Sequence, residues 1–121
     1  MNLNVTQVGK EIVAEPVSDE PVVRTPQDAL DLLATAQYGH EATCLLLYAH
    51  NLTPEFFDLK TGLAGDVLQK YANYEMKLVV VGDFGSVQSQ SLKAFILESN
   101  RGHQVAFVQS REAALEHIAA W

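Results

Sequence analysis

Two stretches of unbroken apolar character, "TCLLLY" at 43–48 and "KLVVV" at 77–81, constrain the fold more than anything else in the chain. A strand with one wet face alternates polar and apolar residues, because successive side chains point to opposite sides of a sheet. A strand without alternation is covered on both faces, which is the mark of a parallel sheet layered by helices. Gly82-Asp83 bounds the second run, and a polar loop follows the first. "QVAFV" at 104–108 reads as a further strand of the same kind.

The segments between these runs carry helical periodicity. Thr25-Pro26-Gln27-Asp28 is a helix start: Thr25 caps, Pro26 suits the first helical position, and Asp28 opposes the macrodipole. Ala29, Leu30, Leu33, Ala34 and Gln37 then share one face, and Gly39 is expected to end the helix. Thr53-Pro54-Glu55 repeats the same start chemistry and opens a short turn, "PEFFDL". Leu63, Ala64, Val67, Leu68 and Tyr71 make one apolar stripe of a longer helix reaching about Asn73. "SLKAFILESNRG" is a helix with Leu92, Phe95, Ile96 and Ser99 on one face and Gly102 as its stop. Ser110 caps a last helix whose Ala114, Leu115 and Ile118 face inward. At the amino end, Leu3–Val8 and Glu11–Glu15 flank Gly9-Lys10 as a β-hairpin, and "PVSDEPVV" at 16–23 is a connection. The expected order is ββαβααβαβα. It describes an α/β fold with an N-terminal hairpin and a mixed, mostly parallel five-stranded sheet, in a single domain over 1–121.

With 121 residues and 48% apolar composition, the chain can bury one core without staples. Its formal net charge of −7 argues against nucleic acid and anionic membrane surfaces, which select basic footprints. No apolar run approaches the roughly 18 residues of a membrane span. "MNLNVTQVGKEIV" lacks the basic start and apolar centre of a secretory signal, so a cytoplasmic location is expected. Cys44 is the only cysteine, which leaves no intramolecular disulfide and no multi-thiolate metal site. In an apolar run its thiol behaves as a small buried hydrophobe.

Ligands of open α/β sheets bind beyond the carboxyl ends of the parallel strands. That rule collects His50, Asn51, Asp83, Ser86 and Ser110 on one rim, with Arg101 as a bidentate partner for a carboxylate or phosphate. Arg101 equally suits the end of a helix, where a cation complements the dipole. Ser86, His50 and Asp83 are the residue types of a catalytic triad, but no G-x-S-x-G elbow fixes a nucleophile beside a base. His40, His50, His103 and His117 lack metal-ligand spacing, and "VVVGDFGS" lacks either glycine pattern of a phosphate loop. "LKTG" sets Lys60 and Thr61 at a helix N-terminus, where free N–H groups favour anions, although Thr61 as a plain cap is the simpler reading. No cofactor or metal is expected. Phe56 and Phe57 are adjacent and cannot both point the same way. One enters the core and the other marks a contact surface, unless the loop folds over a helix face and both are core.

"NLTPEFFDLKTGLAGDVLQKYANYEMKLVVVGDF", with "FILESNRGHQVAFV" and "EAAL", resembles a bacterial family described as a domain of unknown function, family 4180. The likeness runs over nearly the whole chain and implies no particular activity. The order of elements also resembles the STAS fold of anti-sigma-factor antagonists. That resemblance implies a strand, "TCLLLY", then a loop ending in a phosphorylated hydroxyl and a glycine at a helix start, then the strand "KLVVVGD". Thr61-Gly62 stands at the phosphoacceptor position, but "DLKTG" replaces the usual aspartate-serine-serine-glycine and inserts Lys60.

The primary reading is therefore a non-enzymatic, STAS-like interaction or regulatory module with a protein partner. Its expected surface is Asn51, Thr53, Phe56, Phe57, Asp58, Lys60, Thr61 and Gly62, with the helix that follows. The alternative is a small-ligand-binding protein or enzyme using the strand-end cleft. A third reading is self-association into a homodimer through the hairpin edge or the helix after Gly62.

Overall fold

Strand order follows chain order. The structure, a computed structural model describing residues 1–121, contains one five-stranded sheet ordered β1-β2-β3-β4-β5. β1 (Leu3–Val8) and β2 (Glu11–Pro16) form the antiparallel hairpin, with Gly9 at φ 59 in its turn. β3 (Cys44–Tyr48), β4 (Lys77–Val81) and β5 (Val105–Val108) continue the sheet in parallel. Their connections contain α1 (Pro26–His40), α2 (Leu63–Asn73) and α3 (Gln90–Arg101), and α4 (Arg111–Ala119) ends the chain. The mixed α/β fold and its order are those expected from the apolar runs.

Because each crossover advances one strand with the same hand, α1, α2 and α3 all cover one face. Ala14, Leu45, Leu47, Leu78, Val80, Val105 and Phe107 point that way. There they meet Ala29, Leu33 and Ala36 of α1, and Ala64, Val67 and Tyr71 of α2. The Tyr71 hydroxyl donates to the Ala29 carbonyl at 3.0 Å, so this buried polar group is satisfied. The second face carries Val13, Cys44, Leu46, Val79, Val81 and Ala106, and α4 covers it with Ala114 and Ile118. Burial pushes the Cys44 thiol up to about 12, so it stays a neutral hydrophobe.

Helix ends follow local chemistry at α3, α4 and the start of α1, but not at the end of α1. Thr25 accepts from the Asp28 N–H, Ser89 from Leu92 and Ser110 from Ala113. Gly39, however, does not stop α1. The helix runs one residue further to His40, and Glu41 takes the left-handed cap at φ 58, its N–H bonded to the Gln37 carbonyl. The register that buries Ala42 sets this end. The inward face is correspondingly Ala29, Leu32, Leu33 and Ala36 rather than a stripe centred on Leu30 and Ala34.

The β5 edge of the sheet is closed by a side chain. The Asn100 amide donates to the Phe107 carbonyl at 3.0 Å and accepts from the Phe107 N–H at 2.7 Å, as a neighbouring strand would. Asn100→Ala is expected to lose about 1–3 kcal/mol, the usual cost of orphaned main-chain groups, read as a lower urea midpoint. Faster amide exchange at Phe107 accompanies that loss, and an unchanged Phe107 amide contradicts the sealing role.

Candidate functional site

The carboxyl ends of β3, β4 and β5 form one rim, at Tyr48, Val81 and Val108. Over it lies the chain from Ala49 to Gly62, which folds as three short 3-10 turns, Ala49–Asn51, Pro54–Phe57 and Leu59–Thr61. Asn51 anchors this loop and is fully buried. Its Oδ1 accepts from the Tyr48 N–H at 2.9 Å, and its Nδ2 donates to the Ser18 and Glu20 carbonyls at 3.0 and 3.2 Å. The Asn51 carbonyl accepts from Val22 and Val23, so one residue joins the strand exit to the 17–23 connection. A buried amide so engaged positions the loop and offers nothing to a partner.

Both phenylalanines are spoken for. Phe56 is in the core, and Phe57 is half-buried against it with ring centroids 5.1 Å apart. Phe57 also meets Phe84, which meets Phe107, which meets Phe95, at 5.9, 5.4 and 5.8 Å. All five phenylalanines of the chain thus make one continuous row from the loop to α3. The core explanation accounts for both residues, and no exposed aromatic anchor is left on the loop. Gly82 tightens the same region: a Cβ there would lie 2.9 Å from the Ala49 Cβ and 3.0 Å from the Phe84 ring. A helical turn, the aromatic row and this close approach together fill the rim.

What remains exposed on the loop is polar. Pro54, Glu55, Asp58, Lys60, Thr61 and Gly62 face solvent, and Thr53 is half-buried with its hydroxyl bonded to the Glu55 carboxylate. That bond holds the Glu55 carboxyl below its ordinary range. Asp58 accepts from the Lys60 N–H and so caps the third turn. Gly62, at φ 78, is the hinge between that turn and α2, a conformation that glycine adopts without strain. Gly62, not Thr61, holds the cap position of α2. Thr61 instead latches the loop. Its hydroxyl lies 2.7 Å from the Glu55 carbonyl and 2.9 Å from that of Asp58, donates toward this pair, and accepts from the Leu63 N–H at 3.3 Å. Thr61→Val keeps the shape but removes these bonds, for an expected loss of about 1–2 kcal/mol and faster exchange of the Leu63 amide. Thr61→Ser is expected to restore both, and equal effects of Val and Ser would contradict the latch.

The residues of the alternative ligand site do not converge. Ser86 donates to the Asp83 carboxylate at 2.9 Å, and no histidine stands beside it. His50 stacks on Tyr48 at 5.5 Å and donates through Nε2 to the Ser18 carbonyl at 3.1 Å. Ser110 is occupied as the α4 cap. Arg101 lies at the opposite end of the sheet, because it closes α3 before β5 begins, and it pairs with exposed Glu98 at 3.6 Å. Three surface hollows of about 190–250 Å³ exist, all elsewhere. One lies by Met1 and the first turns of α1, one between Leu30, Tyr38 and Tyr74, and one by Arg101, His103 and His117.

Two charge clusters on the second face were not singled out from the sequence. At the rim, the Arg111 Nε donates to Glu15 at 3.1 Å and the Tyr48 hydroxyl approaches the same carboxylate at 3.3 Å. Burial, reinforced by Glu15, raises the Tyr48 phenol, so it remains a donor. At the amino end, the Lys77 Nζ meets buried Glu11 at 2.7 Å, and the Thr43 hydroxyl donates to the other carboxylate oxygen at 2.9 Å. Glu11 and Lys77 stand directly on the second face, and the only trace in the sequence is that each charged residue heads a strand of apolar pattern.

Fold and rim together define an α/β domain whose strand ends are covered by a folded polar loop rather than opened into a cleft. The chain belongs to the family described as a domain of unknown function (DUF4180), whose model matches residues 8–118. No curated protein and no solved structure matches it significantly. No helix is long and apolar enough to cross a membrane.

Proposed function

We infer that residues 1–121 act as one non-enzymatic, STAS-like interaction or regulatory domain in the cytoplasm, with the loop 51–62 and α2 as its contact surface. The observation that carries this reading is the filled rim: Asn51, Phe56 and Phe57 are spent on folding the loop, which leaves a continuous exposed face of Glu55, Asp58, Lys60, Thr61 and Gly62. Asn51 and Phe56 serve as scaffold and the exposed residues as contacts. Thr61 is the natural switch on this surface. Phosphorylation would replace its donated proton with about −1.5 to −2 units of charge, facing the Glu55 and Asp58 carbonyls that the hydroxyl now satisfies. The latch opens, Lys60 becomes the counter-charge, and the surface changes sign. The order of elements supports the STAS-like part of this reading.

The test is capture from the source organism with purified wild-type and Lys60→Glu/Thr61→Glu proteins as paired baits. The reading expects at least one protein recovered by the wild type and lost, at least tenfold, with the double variant. Identical recoveries, or none with either bait, sink it.

A further inference from the structure

The two edges of the sheet are finished differently, and the unfinished one has an identifiable occupant. At β5 the outward-facing residue Phe107 is sealed by Asn100. At β1 nothing plays that part. The hairpin alternates hydrogen-bonded and non-bonded pairs, and the Val17 N–H donating to the Asn2 carbonyl at 3.0 Å places the even-numbered residues on the β2 side. Leu3, Val5 and Gln7 therefore direct their N–H and C=O groups away from the sheet, and no side chain or segment of the chain meets them.

Natural sheets blunt such edges with charge, proline, bulges or a covering segment. β1 reads Leu-Asn-Val-Thr-Gln-Val, with none of the first two, in full six-residue register with β2. In a chain of net charge −7, this strand is neutral throughout, so two copies meet there without like charges opposed.

We propose that β1 pairs antiparallel with β1 of a second copy across a two-fold axis at Val5, joining two five-stranded sheets into one. This register is symmetric about Val5 and opposes no charges. Val5 faces Val5, Leu3 of one copy faces Gln7 of the other, and Asn4 faces Thr6. The outward residues then supply about six main-chain hydrogen bonds, and an isologous contact of this kind closes as a dimer. Val5, 41% exposed in the single chain, becomes the centre of the contact. The occupant is a second copy because the strand carries no charge that would repel its own image, and the outward residues Leu3, Val5 and Gln7 are spaced evenly about Val5, so a two-fold register uses all three. The inference is independent of the loop 51–62, which lies on the rim and not on this edge.

A strip this narrow gives a weak, exchanging dimer, with Kd on the order of micromolar to hundreds of micromolar. Sedimentation or light scattering of the full chain is expected to show the mass rising with concentration from 13.3 kDa toward twice that value. Val5→Lys and Val5→Glu each place like charges at the axis and weaken dimerisation at least tenfold, while an equimolar mixture of the two restores it. Val5→Pro provides a second variant, because it removes an outward N–H without touching the ladder to β2. A wild type that stays monomeric at about 1 mM, as it would if the edge served only a foreign peptide, overturns the proposal. So does a dimer that survives Val5→Lys or Val5→Pro, or a charge-swapped mixture that stays monomeric.

Discussion

Replacing Lys77 with methionine is expected to cost about 3–5 kcal/mol, because it strands Glu11 as an unpaired buried carboxylate. Glu11 is nearly inaccessible, and its two oxygens are held by Lys77 at 2.7 Å and Thr43 at 2.9 Å. Burial alone would raise its pKa, but the Lys77 and Thr43 hydrogen bonds and the Lys77 charge reverse this, so the native carboxyl titrates below its ordinary value. A depressed native pKa stabilises the fold above the unfolded value, about 4.3 for glutamate. That contribution disappears as pH falls through the native value. Without Lys77, burial is opposed only by the Thr43 hydrogen bond and the Lys10 charge, so the native pKa rises from its wild-type position, and the penalty is greatest at neutral pH and fades in acid. Urea unfolding at pH 7 and pH 5 is therefore expected to show the gap between variant and wild type narrowing on acidification. Glu11→Gln/Lys77→Met should recover most of the loss, since removing both charges removes the orphan. A single-variant cost below about 1 kcal/mol would mean that water reaches Glu11.

Asn51→Ala is the second large effect, at about 3–5 kcal/mol. It orphans the Tyr48 N–H, which costs about 1–3 kcal/mol away from water, and removes one hydrogen bond of about 1 kcal/mol from each of the Ser18 and Glu20 carbonyls, which keep the His50 Nε2 and the Ser18 hydroxyl as donors. Asn51→Asp is as informative. The carboxylate oxygen that replaces Nδ2 faces two carbonyl oxygens, so this variant should be at least as unstable as the alanine at pH 7. It should regain stability as pH falls, when the acid can donate. Denaturation midpoints across pH 4–7 separate the two variants, and parallel curves would show that the amide is not buried between those carbonyls.

The parts of the fold legible in the sequence are those set by periodicity and by local chemistry. Unbroken runs such as Leu45–Leu47 and Val79–Val81 announced strands buried on both faces, and Thr25-Pro26 announced a helix start. The end of α1 was not legible, because Glu41 adopts a left-handed cap that a glycine two residues earlier could have supplied at less strain. Tertiary packing of Ala42 decides that register. The candidate site was legible as a loop but not in its division of labour. Thr53, Asp58 and Thr61 announce turns by type, whereas the burial of Asn51 depends on carbonyls some thirty residues earlier in the chain. Arg101 was misplaced for a related reason: proximity to a strand in sequence does not say which end of that strand a residue precedes.

The agreement of strand order with chain order has a consequence for how the molecule comes into being. No strand has to be threaded between two others, so each segment finds its docking edge already present when it emerges from the ribosome. The hairpin offers an edge to Cys44–Tyr48, which offers one to Lys77–Val81, and so on to Val105–Val108. Closing distances stay short at every step, which favours rapid assembly. The second face waits, its Leu46 and Val79 open to water, until α4 is released. During translation the nascent chain is therefore a growing sheet with one dry side and one wet side, and the docking of α4 is what shuts it.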